Sequence, residues 1–318
     1  MNRLILILIA GFSTLFGGDL QAAEILDGIK GRDDRMVMPS GEYPWRAVGR
    51  VNTETGGHCT GVLVGPALVV TAAHCLYDKR KMWYVPVPQV HFVAGFQGDT
   101  YTAHTTAKNY IISKSYDEMA PPSRRMAFHD WAIIQLAEAI GYQTGWLGVR
   151  DVFLDKGLDE TFVQAGYSKD SKTVLSVHIG CPIIKRDIEV FDDGKKRALL
   201  VHRCDAVPGD SGSPIFYYHE GKPYLAAIHV ATTKELRPVL GVAVPVSTFV
   251  RGIVQLGGGE PAFPEGEEPQ IWKTVEILLK RMEIPDENTF FDSQGLETPD
   301  VLGYDTIGRL ISAMMSKQ

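Results

Sequence analysis

From Trp45 to about Leu256 the apolar positions come in short runs rich in β-branched and aromatic residues, each broken by Gly, Pro or Asp. Gly61-Val62-Leu63-Val64, Leu68-Val69-Val70-Thr71, Trp131 to Leu136, Leu199 to His202 and Leu225 to Val230 are examples. Runs of this length between turn residues predict strands of an antiparallel barrel or sandwich. Helical spacing first enters at Thr248 to Leu256, where Phe249, Val250, Ile253, Val254 and Leu256 fall on one face. Gly257-Gly258-Gly259 then opens a Gly, Pro and Glu-rich stretch, 257–269, that reads as a linker. Helical periodicity returns at Ile271 to Met282, and Asp305 is placed to cap a second helix running to Met315. The expected organisation is an all-β unit over 24–256, the linker, and a small α-helical C-terminal extension over 270–318, with no internal repeat.

The first residues modify this picture. Met1-Asn2-Arg3, the apolar run Leu4 to Phe16 and the small-residue exit Ala22-Ala23 have the order of a signal peptide over 1–23. The run is short for a transmembrane helix, which needs about 20 apolar residues. No later stretch is long and apolar enough, so the expectation is a released protein, secreted or periplasmic, with no membrane anchor once the signal is cut. With 318 residues, 45% of them apolar, an ordinary core can be buried, which excludes a disordered or fibrous chain. A formal net charge of −6 gives no general attraction to phosphates, so nucleic acid is not an expected partner.

The four cysteines fall into two local pairs. In an exported chain oxidation is the economical reading, Cys59 with Cys75 and Cys181 with Cys204, against free buried thiols. No Cys-x-x-Cys spacing marks zinc.

Three local signals carry chemistry. Thr71-Ala72-Ala73-His74-Cys75 follows a hydrophobic strand, His129-Asp130-Trp131 puts an acid at a strand start, and Pro208-Gly209-Asp210-Ser211-Gly212-Ser213-Pro214 sets a serine in a glycine-bracketed turn. A serine becomes a nucleophile when an imidazole takes its proton, and the imidazole needs a carboxylate to fix its tautomer. Singly, these are an ordinary core histidine, a turn aspartate and a loop serine; together and in this order they are not. Asp117 is the runner-up acid but lacks the apolar strand that follows Asp130. His58, His91, His104, His178 and His219 carry no motif and read as surface or strand residues.

The three boxes, in that order, resemble those of the trypsin and chymotrypsin family of serine proteases. The resemblance implies two six-stranded antiparallel barrels and a triad of His74 as base then acid, Asp130 as its orienting group and Ser211 as nucleophile. It also implies an oxyanion hole from the N–H groups of Gly209 and Ser211, the Cys59–Cys75 bridge beside the histidine, protein or peptide substrates, and neither cofactor nor metal. Glycine at 209 and 212 suits a turn that aims successive N–H groups at one spot. Activity should rise as His74 loses its proton.

Within that family, the stretch from Arg32 to Leu256 is most similar to bacterial glutamyl endopeptidases, through Cys204-Asp205 and the serine box. The resemblance gives three substrate-binding candidates. His229, with Thr232, occupies the position of a histidine that holds an acidic side chain. Asp205, six residues before Ser211, has the offset of the aspartate that selects Arg and Lys, and takes a slight lead because Ala206 replaces a threonine the glutamyl enzymes often carry. Activation in trypsin relatives pairs a new Ile-Val-Gly-Gly terminus with the acid at the position of Asp210. That sequence is absent here, and cleavage after Arg35, with 24–35 as a propeptide, is the expectation. The rival from another class is a non-catalytic binding or adhesive module on the same fold. The C-terminal extension is expected either to brace the barrels or to bind cell envelope.

Overall fold

The computed structural model describes residues 28–150, 161–171, 173–191, 194, 196–233, 239–256 and 258. The expected signal peptide, nearly all of the linker and the helical extension lie outside the described residues.

Six strands close into a barrel: β2 (Val48–Thr53), β3 (His58–Gly65), β4 (Leu68–Thr71), β7 (Val90–Ala94), β8 (Ala103–Ile112) and β9 (Ala132–Leu136), in the order β2-β3-β4-β9-β8-β7. β4 is buried along its whole length, and β7 alternates. Along β7, Val90, Phe92 and Ala94 are buried while His91 and Val93 are not, so one face fills the barrel interior. A short hairpin of β5 (Tyr77–Asp78) and β6 (Trp83–Tyr84) stands off this barrel.

The second half is a nine-stranded sheet. Its path runs β1 (Met36–Met38), β12 (Leu175–Ile179), β11 (Val163–Gly166), β15 (Pro214–His219), β16 (Lys222–Thr232), β17 (Gly241–Pro245), β14 (Lys196–His202), β13 (Ile183–Val190), with β10 (Gly148–Val149) parallel to β16. The expected second barrel is therefore a half-barrel: among the described residues β1 and β13 are edges that do not pair with each other. The all-β class holds, with short helices α1 (Arg124–His129), α2 (Gly141–Thr144) and α3 (Val250–Gln255), the last where the helical spacing predicted it. No described helix is long and apolar enough to cross a membrane.

One core spans both halves. Trp45, 1% exposed, sits edge-to-face on Phe216 of β15 with ring centroids 6.0 Å apart. Burying two such rings contributes several kcal/mol at about 25 cal/mol per Å². A second cluster, with Phe162, Ile215 and Tyr217, packs against the Cys181–Cys204 bridge on the other face of the sheet.

Candidate active site

The barrel's register brings the first two residues of the expected triad together. β4 and β9 are antiparallel, with Thr71 opposite Ala132, so the chain leaving β4 and the chain entering β9 meet at one rim. After β4 a tight 3-10 turn, Ala73–Leu76, projects His74 from that rim. On the other side α1, capped where the Ser123 hydroxyl accepts the Met126 N–H, ends at Asp130. The Asp130 carboxylate accepts the His74 backbone N–H at 3.0 Å and lies 2.6 Å from Nδ1. Asp130 is 7% exposed. Such contact puts the imidazole proton on Nδ1 and leaves Nε2 as the basic nitrogen. Burial of His74 favours its neutral form, but the charge and hydrogen bond of Asp130, aided by Glu118, outweigh it, and its pKa is raised above 6.5.

The serine turn belongs to the other half of the molecule. Gly212 N–H donates to His229 O at 2.7 Å and His229 N–H to Ser213 O at 2.9 Å, which tie the turn to β16. The backbone at Gly209 (φ +103°) and Gly212 (φ +81°) is left-handed, and a Cβ at 209 would stand 2.5 Å from the Tyr167 carbonyl oxygen. His74, Asp130 and Ser211 line one cleft of about 670 Å³ together with Tyr116 and Glu118, Ala206 to Pro208, and His229 to Thr232. Both disulfides form, Cys59–Cys75 under the histidine turn and Cys181–Cys204 at the entry to the serine segment.

Asp210 is buried, and its carboxylate is already engaged. The Ser168 hydroxyl lies 2.9 and 2.8 Å from its two oxygens, and Val207 N–H donates to Oδ2 at 2.9 Å. Burial nevertheless dominates and pushes its pKa up to about 6.

Asp205 does not line the cleft. Its Oδ1 accepts the Lys30 N–H at 2.7 Å, its Oδ2 accepts the Asp34 N–H at 3.0 Å, and its own N–H donates to His178 Nδ1 at 3.0 Å. At 3% exposure this carboxylate staples residues 30–34 to the serine segment. The same segment is held elsewhere: Ala206 N–H donates to Gly28 O at 3.2 Å, and Arg35, its side chain 8% exposed, pairs with Asp33 at 2.7 Å and Asp170 at 2.6 Å. Lys30 Nζ turns back to Gly28 O at 2.7 Å, and burial lowers its pKa to about 8 against the pull of Asp205 and Asp210. Within the expected propeptide, residues 28–35 are thus packed on the half-barrel; 24–27 lie outside the described residues.

His229 and Thr232 do line the cleft, and behind His229 stands a residue that the sequence reading did not single out. His202 of β14 places Nε2 3.0 Å from His229 Nδ1, and its own Nδ1 accepts the Cys204 N–H at 3.1 Å. Because Nδ1 of His202 is an acceptor, its proton sits on Nε2 and is donated to His229 Nδ1; the proton of neutral His229 then sits on Nε2. Burial pushes the pKa of both rings well below 6.5, which keeps them neutral. The contact reaches across β17. His202 pairs with Gly241 in register, and a Cβ at 241 would lie 2.2 Å from the His202 ring, so glycine is what lets the ring lie over that strand. No local motif signals His202; only the β14-β17-β16 strand order does. Of the histidines read as surface or strand residues, His178 on β12 is 2% exposed and serves Asp205, and His58 on β3 lies 2.8 Å from the Tyr167 carbonyl oxygen.

Among known proteins, the chain is 29% identical over 195 residues to the glutamyl endopeptidase of Bacillus licheniformis, covering 60% of this chain and 55% of that protein. It is 27% identical over 229 residues to an extracellular metalloprotease of Bacillus subtilis, covering 68% of each. A solved structure of a Glu endopeptidase in complex with MPD superposes with a TM-score of 0.58 at 19% identity, over 72% of this chain and 98% of that one, a likeness of fold. A sequence model of the Trypsin family matches residues 35–253, two thirds of the chain, in the region that holds the barrel, the half-barrel and the cleft between them. The chain belongs to the trypsin family.

Proposed function

We propose that the protein is a secreted serine endopeptidase that uses His74, Asp130 and Ser211 to cut protein or peptide chains after acidic residues. His74 Nε2 takes the Ser211 Oγ proton as the oxygen attacks the scissile carbonyl carbon. The same proton passes to the leaving amine as the C–N bond breaks, leaving an acyl-enzyme on Ser211. A water, deprotonated by His74, then releases the acid product. The N–H groups of Gly209 and Ser211 receive the negative oxygen, a contribution of about 3–4 kcal/mol per donor. Secretion is supported by the order of the first 23 residues and by the extracellular metalloprotease among the relatives.

One observation carries the acidic preference: the hydrogen-bond chain from Cys204 N–H through His202 to His229, which leaves the ring proton of a cleft-lining residue on Nε2. A carboxylate beside that donor, in a cleft that Thr232 also lines, gains a charge-assisted hydrogen bond. Asp205, the rival determinant, spends both oxygens on backbone N–H groups. The relative named as a glutamyl endopeptidase agrees with this reading. The packing of Gly28 to Arg35 also supports a working enzyme whose first residue lies upstream of Gly28 rather than at Met36.

Mass-spectrometric mapping of bonds cut in a denatured protein mixture, comparing the enzyme with its Ser211→Ala variant, tests the proposal. Cuts after Glu that vanish in the variant are expected. Cuts after Arg and Lys would overturn the pocket assignment, and identical patterns for the two proteins would overturn the enzyme assignment in favour of a binding module.

A further inference from the structure

We infer that Thr60, on β3 of the first barrel, is a positioning residue that holds the oxyanion hole of the opposite half open. The inference rests on the serine-protease reading above and extends it to a side chain outside the triad. Thr60 is fully buried, and every polar group it has is used. Its hydroxyl donates to Gly209 O at 3.0 Å and accepts the Tyr167 N–H at 2.9 Å. Its backbone N–H donates to Ser211 O at 2.9 Å, and its carbonyl accepts the Thr71 hydroxyl at 2.8 Å. One residue therefore grips the carbonyls of both Gly209 and Ser211.

The geometry matters because a trans peptide carries its C=O and N–H in opposite directions. Lys169 N–H donates to Pro208 O at 2.7 Å, which turns that carbonyl away and fixes the direction of the Gly209 N–H. The next peptide, from Gly209 to Asp210, is held at its carbonyl by the Thr60 hydroxyl and at its N–H by the Val207 carbonyl at 3.0 Å. Glycine at 209, with φ +103°, has the freedom to rotate out of this arrangement, so the clamp on its carbonyl opposes that rotation. Tyr167 and Lys169 flank Ser168, whose hydroxyl holds Asp210. The loop is thus pinned from three sides by groups already in the folded chain, with Thr60 the only one of these that reaches it from the first barrel through a side chain.

Thr60→Val keeps the shape and removes the hydroxyl, leaving the Gly209 carbonyl and the Tyr167 N–H buried without it. We expect kcat on a peptide ester or amide to fall roughly ten- to a hundredfold with KM within about twofold, because the lost function is transition-state stabilisation. The affinity for a peptide aldehyde, which forms an oxyanion on Ser211, should fall in parallel, and Thr60→Ser should restore most of both. A purely structural role predicts a lowered melting temperature with kcat and aldehyde affinity unchanged, and that result would overturn the inference. If the valine variant does not fold, Thr60→Cys, a weaker donor, decides: intermediate kcat and aldehyde affinity support the clamp, wild-type values sink it. Failure of the underlying reading looks different, since wild type itself would then resist a fluorophosphonate probe.

Discussion

Replacing Asp205 by Asn separates the two assignments of that residue. The carboxylate accepts the N–H groups of Lys30 and Asp34 while 3% exposed. Hydrogen bonds to a charged group contribute about 1.5–3 kcal/mol each. Asn retains one acceptor oxygen but turns an NH2 towards the other N–H, so one bond is lost and a buried donor is left facing a donor. A destabilisation of about 2–4 kcal/mol follows, or roughly 4–16 °C in melting temperature for a domain of this size. Thermal unfolding of Ser211→Ala and Ser211→Ala/Asp205→Asn proteins measures it without self-digestion, and cleavage of matched Glu and Arg peptides by the single Asp205→Asn enzyme reads specificity. The expected outcome is a clear drop in melting temperature with the Glu over Arg ratio within a few-fold of wild type. An unchanged melting temperature together with loss of cleavage after Arg or Lys would refute the staple and restore Asp205 to the pocket.

Three further outcomes follow from the histidines. His202→Phe removes the donor to His229 Nδ1 and orphans the Cys204 N–H, so kcat/KM for a Glu substrate relative to its Gln analogue should drop roughly 5- to 50-fold; an unchanged ratio would mean that His229 needs no backing. In the pH profile, kcat should rise with pH through a pKa above 6.5, as His74 loses the proton that Asp130 stabilises, and this limb should move to lower pH when Asp130 is replaced by Asn. Because burial holds His229 neutral, KM for the Glu substrate should stay flat between about pH 6 and 8, whereas a charged imidazolium would make it worsen as pH rises.

The candidate site was most legible where its residues sit in short contiguous boxes. His74, Asp130 and Ser211 each sit beside a strand whose residues also encode the fold, so local pattern and chemistry coincide. The cysteine pairs were readable for the same reason, each closing a short loop. Asp205 shows where the linear reading stops. Its offset from Ser211 suggests a pocket base, but the direction of its carboxylate depends on residues 30–34, about 170 positions away, folding back onto the same segment. His202, Thr60 and Ser168 escaped notice because each acts through a partner on a different strand or loop, at separations of 27, 149 and 42 residues.

By itself, then, the chain's succession of short β-branched and aromatic runs, each broken by Gly, Pro or Asp, pointed to an all-β fold, because runs of that length and composition between turn residues suit strands rather than helices. Its three boxes, read with the family they resemble, nominated the triad, since each residue type at those places has one chemical use. Tertiary structure alone decided which carboxylate faces the cleft and which is spent on backbone, which imidazole proton points where, and that the second set of strands, among the described residues, stays open as a half-barrel. The physical reason is common to all three: hydrogen bonds between distant strands fix direction, and direction is a property of pairing that no single stretch of sequence contains.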